Sequence, residues 1–158
     1  MTELNIRPAD EADIPALGRL LYQVHQVHSD VRPDLFRAGG RKYGDAELAD
    51  ILKDDGRPVF VAERAGEVVG YAFCVHQQHI GSSSLTDIRS LYIDDLCVDT
   101  AARGAHVGRA LYEYVLAYAR ERGFYNVTLN VWADNAAAVK FYEALGLKVQ
   151  KLGMEQIL

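Results

Sequence analysis

The sequence predicts an α+β fold, with one domain over residues 1–158 built on a mixed, mostly antiparallel central sheet of six to seven strands and about four helices. Short apolar runs alternate along the chain with segments whose apolar residues recur at helical spacing. Two of these runs, Val59–Glu63 and Val68–Val75, are joined by a short link containing Gly66, which is typical of a hairpin. A chain of 158 residues with 49% hydrophobic and 25% charged residues suits one compact domain.

The N-terminal third supplies one strand and two helices. The alternation in Leu4–Pro8 predicts a strand, and Asp10 opens a helix. Residues 29–43 contain proline and glycines and are predicted to be mostly loop, after which Asp45 caps a short helix over residues 46–53. The apolar face of the first helix is predicted from its spacing: Ile14, Leu17, Leu21, Val24 and His28.

The rest of the chain alternates strands and helices after the hairpin. Strands are predicted over Leu91–Val98 and Asn126–Val131, with a helix over Ala110–Arg122 between them. A further helix ends near Gly146, and residues 148–152 and 155–158 can form a last hairpin around Gly153. The resulting order is strand, two helices, three strands, helix, strand, helix and one or two strands.

Composition excludes several classes of function. The net charge of −5, from 17 basic and 22 acidic residues, argues against nucleic-acid or acidic-membrane binding. Neither a signal peptide nor an apolar run of membrane-spanning length is visible. Cys74 and Cys97 each lie in an apolar strand-like run, which predicts buried reduced thiols and a cytoplasmic protein.

The segment Arg103–Ala110 has the features of a phosphate site. It contains two glycines and two arginines between a predicted strand and a predicted helix, where free N–H groups and the helix dipole favour an anion. The Lys and hydroxyl of a Walker loop are missing after Gly108, and His106 stands where a dinucleotide fingerprint needs glycine. A plain strand-to-helix connection is the alternative interpretation.

Two motifs resemble the GNAT superfamily of acyl-CoA N-acyltransferases. Arg103 and Gly108 match the first and last positions of its pyrophosphate loop, whereas His106 replaces the middle glycine. This departure matters if residue 106 needs a positive φ, which costs His more than Gly. Residues 130–147, in which Asp134 or Asn135 opens a helix ending in Phe-Tyr-x-x-x-Gly-Leu, resemble the family's C-terminal motif.

The resemblance implies an acetyl-CoA site. In this family two adjacent strands diverge, the pantetheine arm pairs with the first of them, and the diphosphate rests on the loop. Carried onto this chain, the resemblance implies that the following residues bind acetyl-CoA: Leu96, Cys97, Val98, Arg103, Gly104, Ala105, His106, Val107, Gly108, Arg109, Ala110, Asn135 and Phe141.

The resemblance also implies residues for acid–base catalysis. Acetyl transfer needs a neutral amine, a proton acceptor for it and a donor to the leaving thiolate. Tyr142 aligns with the tyrosine that many relatives place near the thioester sulfur, and its alternative role is a core aromatic. Asp94, with Asp95 second, is the candidate base. Adjacent strand residues point to opposite faces, so we expect one of the two to face the cleft.

The acceptor site is expected beside the first helix and the loop after it. His25, His28, Arg32 and Tyr43 are the candidate substrate-binding residues, with Asp34 nearby, and a solvated helix end is the alternative. The two pairs of His residues lack further ligands at metal-binding spacing, so no metal is expected.

The sequence therefore favours an acetyl-CoA-dependent N-acetyltransferase acting on a primary amine. The alternative is a non-catalytic acyl-CoA-binding or sensing module on the same fold. A homodimer is expected by resemblance, with Leu152–Leu158 as the candidate edge.

Overall fold

The computed structural model describes residues 3–104 and 106–158. Within them, one sheet has five strands in the order β1-β2-β3-β4-β5, accompanied by four α-helices. Its strand pairs are antiparallel except β4–β5, which is parallel. The strands are Leu4–Pro8 (β1), Val59–Arg64 (β2), Glu67–Gln78 (β3), Arg89–Val98 (β4) and Asn126–Leu129 (β5). The helices are Ile14–Val31 (α1), Asp45–Leu52 (α2), Val107–Glu121 (α3) and Ala136–Ala144 (α4).

The sheet separates two apolar cores. On one side, Leu111 and Val115 of α3 belong to the same buried cluster as Leu91 and Ile93 of β4. On the other side, α1 and α2 bury their leucines against Tyr71 and other residues of the sheet. Because successive strand residues face opposite sides, β3 contributes to both cores. The helical face predicted for α1 is confirmed at Leu17 and Leu21, which are fully buried.

The start of α1 is fixed by a short polar network. Asp10 caps a 3₁₀ turn over Glu11–Asp13, so the helix predicted to open at Asp10 begins at Ile14. The Asp13 carboxylate accepts bonds from both terminal nitrogens of Arg7, at 2.8 and 2.9 Å, and from the backbone N–H of Asp10. These bonds hold the first strand against the first helix and lower the pKa of Asp13.

The predicted hairpin between β2 and β3 is confirmed. Its turn consists of Ala65 and Gly66, with φ angles of 52° and 78°. Two successive residues in the left-handed region match the twist of the flanking strands. Among the described residues, none of the helices combines the length and the apolar character needed to cross a bilayer.

The prediction of six to seven strands is wrong, because residues 148–158 form no strand. A two-stranded hairpin is marginal in water unless a third strand or a helix covers its apolar side. Two further boundaries differ: β5 ends at Leu129 instead of Val131, and α3 begins at Val107 instead of Ala110. The mixed sheet and the four helices are as predicted.

Candidate active site

The site begins where β4 and β5 stop pairing. Their last pair is Ile93 with Leu129, but β4 continues alongside β3 as far as Val98. Residues 94–98 therefore lie beside no described residue of β5, and their backbone borders a gap. This divergence of two parallel neighbours is what the family resemblance implies and what residue periodicity alone does not show.

A cleft of about 500 Å³ occupies this region. It is bounded by α1, the end of β4, the start of α3 and the helix α4. Eleven of the residues expected to bind acetyl-CoA line it: Leu96, Cys97, Val98, Arg103, Gly104, His106, Val107, Gly108, Arg109, Asn135 and Phe141. Ala110 is absent from the lining, and Ala105 lies outside the described residues.

The start of α3 gives one end of the cleft its positive character. The N–H groups of Val107, Gly108 and Arg109 belong to the first turn of α3. The helix contains no carbonyl four residues earlier that could accept a hydrogen bond from them. The N–H of Ala110 donates to the carbonyl of His106 at 3.0 Å and is therefore used within the helix. With Arg103 also in the lining, this end can hold an anionic group.

His106 has a backbone conformation that favours glycine. Its φ is +60° and its ψ is 22°, in the left-handed region, immediately before α3 begins. A side chain with a Cβ is disfavoured there, so the replacement of glycine by His stores backbone strain at the cleft.

Gly108 allows the start of α3 to approach α4. A Cβ on Gly108 would lie 2.9 Å from Cζ of Phe141 and 3.5 Å from Cγ2 of Val98. Carbon atoms need about 3.5–4.0 Å, so a larger residue would displace the phenyl ring. Glycine here thus determines how closely two walls of the cleft approach each other.

Both ends of α4 are fixed as the C-terminal motif predicts. The side chain of Asn135, and not that of Asp134, caps the helix by accepting the N–H of Ala138 at 3.2 Å. Gly146 has a φ of +103°, and the N–H of Leu147 donates to the carbonyl of Tyr142 at 3.1 Å. This C-terminal cap sets the orientation of the helix that carries three residues of the cleft, Ala138, Phe141 and Tyr142.

Tyr142 lines the cleft and keeps its phenolic proton. Burial, with a smaller contribution from the negative charge of Asp95, raises the pKa of Tyr142 to about 12. The hydroxyl is thus a proton donor at neutral pH. Phe141 packs edge-on against its ring, with centroids 5.2 Å apart.

The expectation that Asp94 and Asp95 face opposite sides is wrong. The β3–β4 register changes from Phe73 opposite Asp95 to Cys74 opposite Ile93, which leaves Asp94 as an extra residue in a bulge. Because a bulge interrupts the two-residue alternation, both carboxylates reach the α1–α2 side of the sheet. Asp94 there contacts Tyr43, and Asp95 contacts Tyr71.

Asp94 is bound by two residues of the loop before α2. The Lys42 ammonium donates to Oδ1 of Asp94 at 2.8 Å and to its backbone carbonyl at 3.2 Å. The Tyr43 hydroxyl donates to Oδ2 of the same carboxylate. The pKa of Tyr43 is raised above its usual range by burial and by this bond, so Tyr43 stays protonated.

Asp95 has a different environment. Its one side-chain partner among the described residues is the Tyr71 hydroxyl, at 2.9 Å. Burial raises the pKa of Asp95 to about 6, and the bond from Tyr71 and the charge of Lys42 only partly oppose this. A carboxylate with this pKa is ionised at neutral pH and is more basic than an ordinary aspartate.

Two further substrate candidates, His25 and His28, belong to an aromatic group at the end of α1. His28 stacks on Phe36 at 5.1 Å, and Phe36 contacts Trp132 edge-on at 5.4 Å. Nε2 of His25 lies 2.5 Å from the carbonyl of Arg37. Burial lowers the pKa of His28, with smaller contributions from nearby positive groups. These contacts join the loop after α1 to the segment after β5.

Arg32 is already paired within the chain. Its guanidinium donates to both oxygens of Asp34, at 2.9 and 2.8 Å, and lies 2.7 Å from Oε1 of Glu155. Of the four substrate candidates, only Tyr43 contacts a candidate base directly.

Sequence reasoning missed several residues of the site. Lys42 and Tyr71 each bind one of the two aspartates, but neither belongs to a recognisable motif. Gln23, Val24 and Val27 of α1 also line the cleft. The helical spacing of Val24 and Val27 was the available signal, although it equally predicts burial in a core.

Two other predictions concern metals and thiols. The described part of the chain contains no group of three metal-ligating His, Cys, Asp or Glu residues. Cys74 and Cys97 are buried free thiols, and burial raises the pKa of each to about 12.

Comparison with known proteins places these features in a family. The family model described as "Acetyltransferase (GNAT) family" matches residues 23–147. A mycothiol acetyltransferase of Thermobispora bispora is 43% identical over 88 residues, which cover 55% of this chain and 28% of that protein. The chain therefore matches less than a third of that relative's length.

Solved structures agree with the fold. A tetramutant of the BH1408 protein from Bacillus halodurans has a TM-score of 0.93 and 28% identity, covering 98% of this chain and 99% of that one. The aminoglycoside N-acetyltransferase AAC(6')-Iy, solved in complex with CoA, has a TM-score of 0.73, covers 100% of this chain and 96% of that one, and shares the fold at 15% identity. The chain belongs to the acetyltransferase (GNAT) family.

Proposed function

We propose that this protein is an N-acetyltransferase that transfers the acetyl group of acetyl-CoA to a primary amine by direct attack. The observation that carries the proposal is the cleft beside the diverging ends of β4 and β5, with Tyr142 in its wall. Family membership and the mycothiol acetyltransferase relative support the same reaction.

The residues of the cleft fit acetyl-CoA. The N-terminus of α3 with Arg103 and Arg109 suits a diphosphate, since it combines free N–H groups with positive charge. Val24, Val27 and Phe141 offer an apolar wall to a pantetheine arm. The backbone of residues 96–98 supplies polar groups at the gap left by β5.

Two side chains carry the proton transfers in this proposal. Bound acetyl-CoA supplies a thioester as the acyl donor. The Tyr142 hydroxyl donates a proton to the departing sulfur, which its raised pKa permits because the proton is still held at neutral pH. Asp95 accepts a proton from the acceptor ammonium, which leaves the neutral amine that attacks the thioester. Burial raises the pKa of Asp95 to about 6, and its carboxylate has no lysine partner among the described residues, whereas Asp94 is paired with Lys42.

The acceptor is placed on the α1–α2 side of β4. There Asp94 and Asp95 provide negative charge, and Tyr43, His28 and Phe36 provide ring surfaces. Such a surface suits a primary amine of a small molecule or of a protein. The two free thiols support a cytoplasmic location.

The test is a thiol-release assay with acetyl-CoA and a panel of primary amines, run beside calorimetric titration of acetyl-CoA alone. We expect saturable binding of acetyl-CoA and turnover with one class of amine. Binding without turnover, for the small amines and for a library of peptides with free N-termini and lysines, would support the acyl-CoA sensor instead. Absence of acetyl-CoA binding would refute both functions.

A further inference from the structure

Lys42 is a primary amine held where the gap between β4 and β5 opens. Its ammonium nitrogen lies 2.8 Å from Oδ1 of Asp94 and 3.2 Å from the backbone carbonyl oxygen of the same residue. Asp94 is the first residue of β4 after the last β4–β5 pair, Ile93 with Leu129. The protein therefore places an amine of its own beside a candidate base and at the edge of the proposed acetyl-CoA site.

Lys42 is also close to the residues proposed to act in the transfer step. Leu96 lines the cleft two positions after Asp94, and two residues of a strand span about 7 Å. Burial raises the pKa of Asp95, and the charge of Lys42 partly opposes this. Burial likewise raises the pKa of Tyr142, and the charge of Asp95 adds to it. Because such charge effects fall off with distance, Asp95 lies near both Lys42 and Tyr142.

No other lysine has a comparable position. Within the described part of the chain, Lys42 is the only lysine that pairs with a carboxylate, and its nitrogen also lies 5.6 Å from the centre of the Tyr43 ring. Its side chain is 42% exposed, so the flexible stem is free to carry the nitrogen from Asp94 towards the cleft. The other lysines are exposed: Lys53, Lys140, Lys148 and Lys151.

We propose that Lys42 is an internal acceptor, which the protein acetylates on itself when acetyl-CoA is bound and no amine occupies the acceptor site. The proposal rests on the proposed function, because it uses the same acyl donor and the same acid. Asp94 accepts one proton from the ammonium, which leaves a neutral nitrogen able to attack. That nitrogen forms a bond with the acetyl carbon while the carbon–sulfur bond breaks. Tyr142 gives its proton to the sulfur and regains one when the nitrogen releases its second proton.

The products are an acetylated Lys42 and the free thiol of CoA. Acetylation removes the positive charge of the side chain, so the ion pair with Asp94 and the cation–π contact with Tyr43 are lost. The Asp94 carboxylate is then available to a cationic acceptor. The modification thus changes the acceptor site without changing the residues that line the cleft.

The experiment is mass spectrometry of the full chain after incubation with acetyl-CoA and no amine. Peptide mapping of the recovered protein quantifies acetylation at each lysine, so the readout is a covalent mass and not turnover. We expect one acetyl group at Lys42, added about a hundredfold faster than at any other lysine, the contribution of one general acid. The rate constant should be independent of protein concentration, because the amine and the cleft belong to one chain.

Lys42→Arg is the decisive variant, because arginine keeps a positive charge beside Asp94 but stays protonated and does not attack a thioester. It should carry no acetyl group at this position and no increase elsewhere. Lys53→Arg, a change to an exposed lysine, is the matched control and should leave the rate at Lys42 unaltered. Tyr142→Phe should slow acetylation of Lys42 about a hundredfold.

The contact between Lys42 and Asp94 is tested without acetyl-CoA. Lys42→Gln has a neutral amide, as the acetylated side chain does, so the loop before α2 loses one of its bonds to Asp94. Hydrogen exchange of the backbone amides of residues 41–44 should be faster in Lys42→Gln than in the parent, and Lys42→Arg should resemble the parent. Equal exchange in all three proteins would overturn the proposal, since Lys42 would not be held at Asp94.

The labelling experiment separates this proposal from the proposed function. Acetylation spread evenly over the lysines, or undiminished in Tyr142→Phe, would overturn the proposal, because the reaction would be uncatalysed. So would a rate that rises in proportion to protein concentration. Acetylation of free amines with Lys42 unmodified would overturn this proposal alone. Absence of acetyl-CoA binding in calorimetry would overturn both.

Discussion

The two halves of the candidate site are built in different ways. The acetyl-CoA half is formed largely by two segments, the loop before α3 and the helix α4, each of which is continuous in the sequence. Much of its chemistry lies in backbone groups. The acceptor half is assembled from side chains distant in sequence: Lys42 and Tyr43 meet Asp94 across more than 50 residues. The acetyl-CoA half therefore contains the sequence motifs of the family, whereas the acceptor half depends on contacts particular to this chain.

The difference predicts where substitutions act. Changes in the acetyl-CoA half should alter the affinity for acetyl-CoA or the transfer step for every acceptor. Changes in the acceptor half should alter amine selectivity and pH dependence with little effect on acetyl-CoA affinity.

Tyr142→Phe should have the largest effect, because Tyr142 lines the cleft and its proposed role in the transfer step applies to every acceptor. We expect turnover to fall about a hundredfold, the usual contribution of one general acid, with acetyl-CoA affinity unchanged. Steady-state kinetics and calorimetry measure the two quantities. Tyr125→Phe, a change to a mostly exposed ring, serves as control. Equal turnover in the two variants would remove Tyr142 from the acid role.

Asp95→Asn should separate activity from stability. Because the pKa of Asp95 is about 6 when folded and 3.8 in an ordinary aspartate, the folded protein holds this proton more tightly than the unfolded chain. The ionised carboxylate therefore costs stability as the pH rises from about 4 to 6, and the cost persists above that. Asn removes the charge while keeping an acceptor for Tyr71, so the variant should gain about 1–3 kcal/mol at pH 8 and nothing at pH 4.

Thermal unfolding across that range of pH measures the gain, and turnover of Asp95→Asn should fall at the same time. The control is Asp99→Asn, because Arg19 lowers the pKa of Asp99 and the sign should reverse to a loss at neutral pH that vanishes in acid. If the stability that Asp95→Asn gains over the parent were smaller at pH 8 than at pH 4, the raised pKa of Asp95 would be contradicted.

Gly108→Val tests the acetyl-CoA half alone. A Cβ already falls 2.9 Å from Cζ of Phe141, and a β-branched side chain adds two methyl groups to that clash. We expect acetyl-CoA affinity to fall at least tenfold, or about 1.4 kcal/mol, as the ring is pushed into the cleft. Calorimetric titration measures it. Gly153→Val, with no neighbouring atom within 4 Å, should bind normally; equal affinities would show that Phe141 yields without cost.

Lys42→Met tests the acceptor half alone. Lys42 binds Asp94 where a cationic acceptor would bind, so its removal should lower the KM for the amine about two- to fivefold, the range of an exposed ion pair. The KM for acetyl-CoA should not change. Lys53→Met, on an exposed lysine at the end of α2, is the control. A rise in both KM values would instead show that Lys42 only holds the loop in place.

The local structure of the segments proposed to bind acetyl-CoA was predictable, because its determinants are local. The cap at Asn135, the left-handed Gly146 and Gly104 before α3 act within a few residues, so their spacing can be recognised in the sequence. The bulge at Asp94 was not predictable, since it depends on how β3 and β4 align over their full length. The same reason hid Lys42 and Tyr71, whose partners are determined by tertiary packing.

Residues 148–158 show a further limit of local reasoning. A last hairpin is predicted there around Gly153, but these residues form no strand. Strand propensity reflects a partner surface as much as the segment itself.

His106→Gly should have the smallest effect. It tests whether the positive φ of His106 costs stability, as the sequence analysis expects for a residue that replaces glycine. At φ +60° glycine is free of the strain that His bears, which favours the variant by roughly 1 kcal/mol. Glycine also gains freedom in the unfolded chain, which offsets about half of this, so we expect a net gain of ~0.5 kcal/mol in unfolding free energy.

His106→Ala keeps the strained conformation and removes only the imidazole, so it should show no such gain in chemical denaturation. If both variants are equally stabilised, the imidazole and not the backbone angle is the source of the cost. If neither is, the turn before α3 has relaxed around His106, and replacement of the family's glycine has no energetic consequence here.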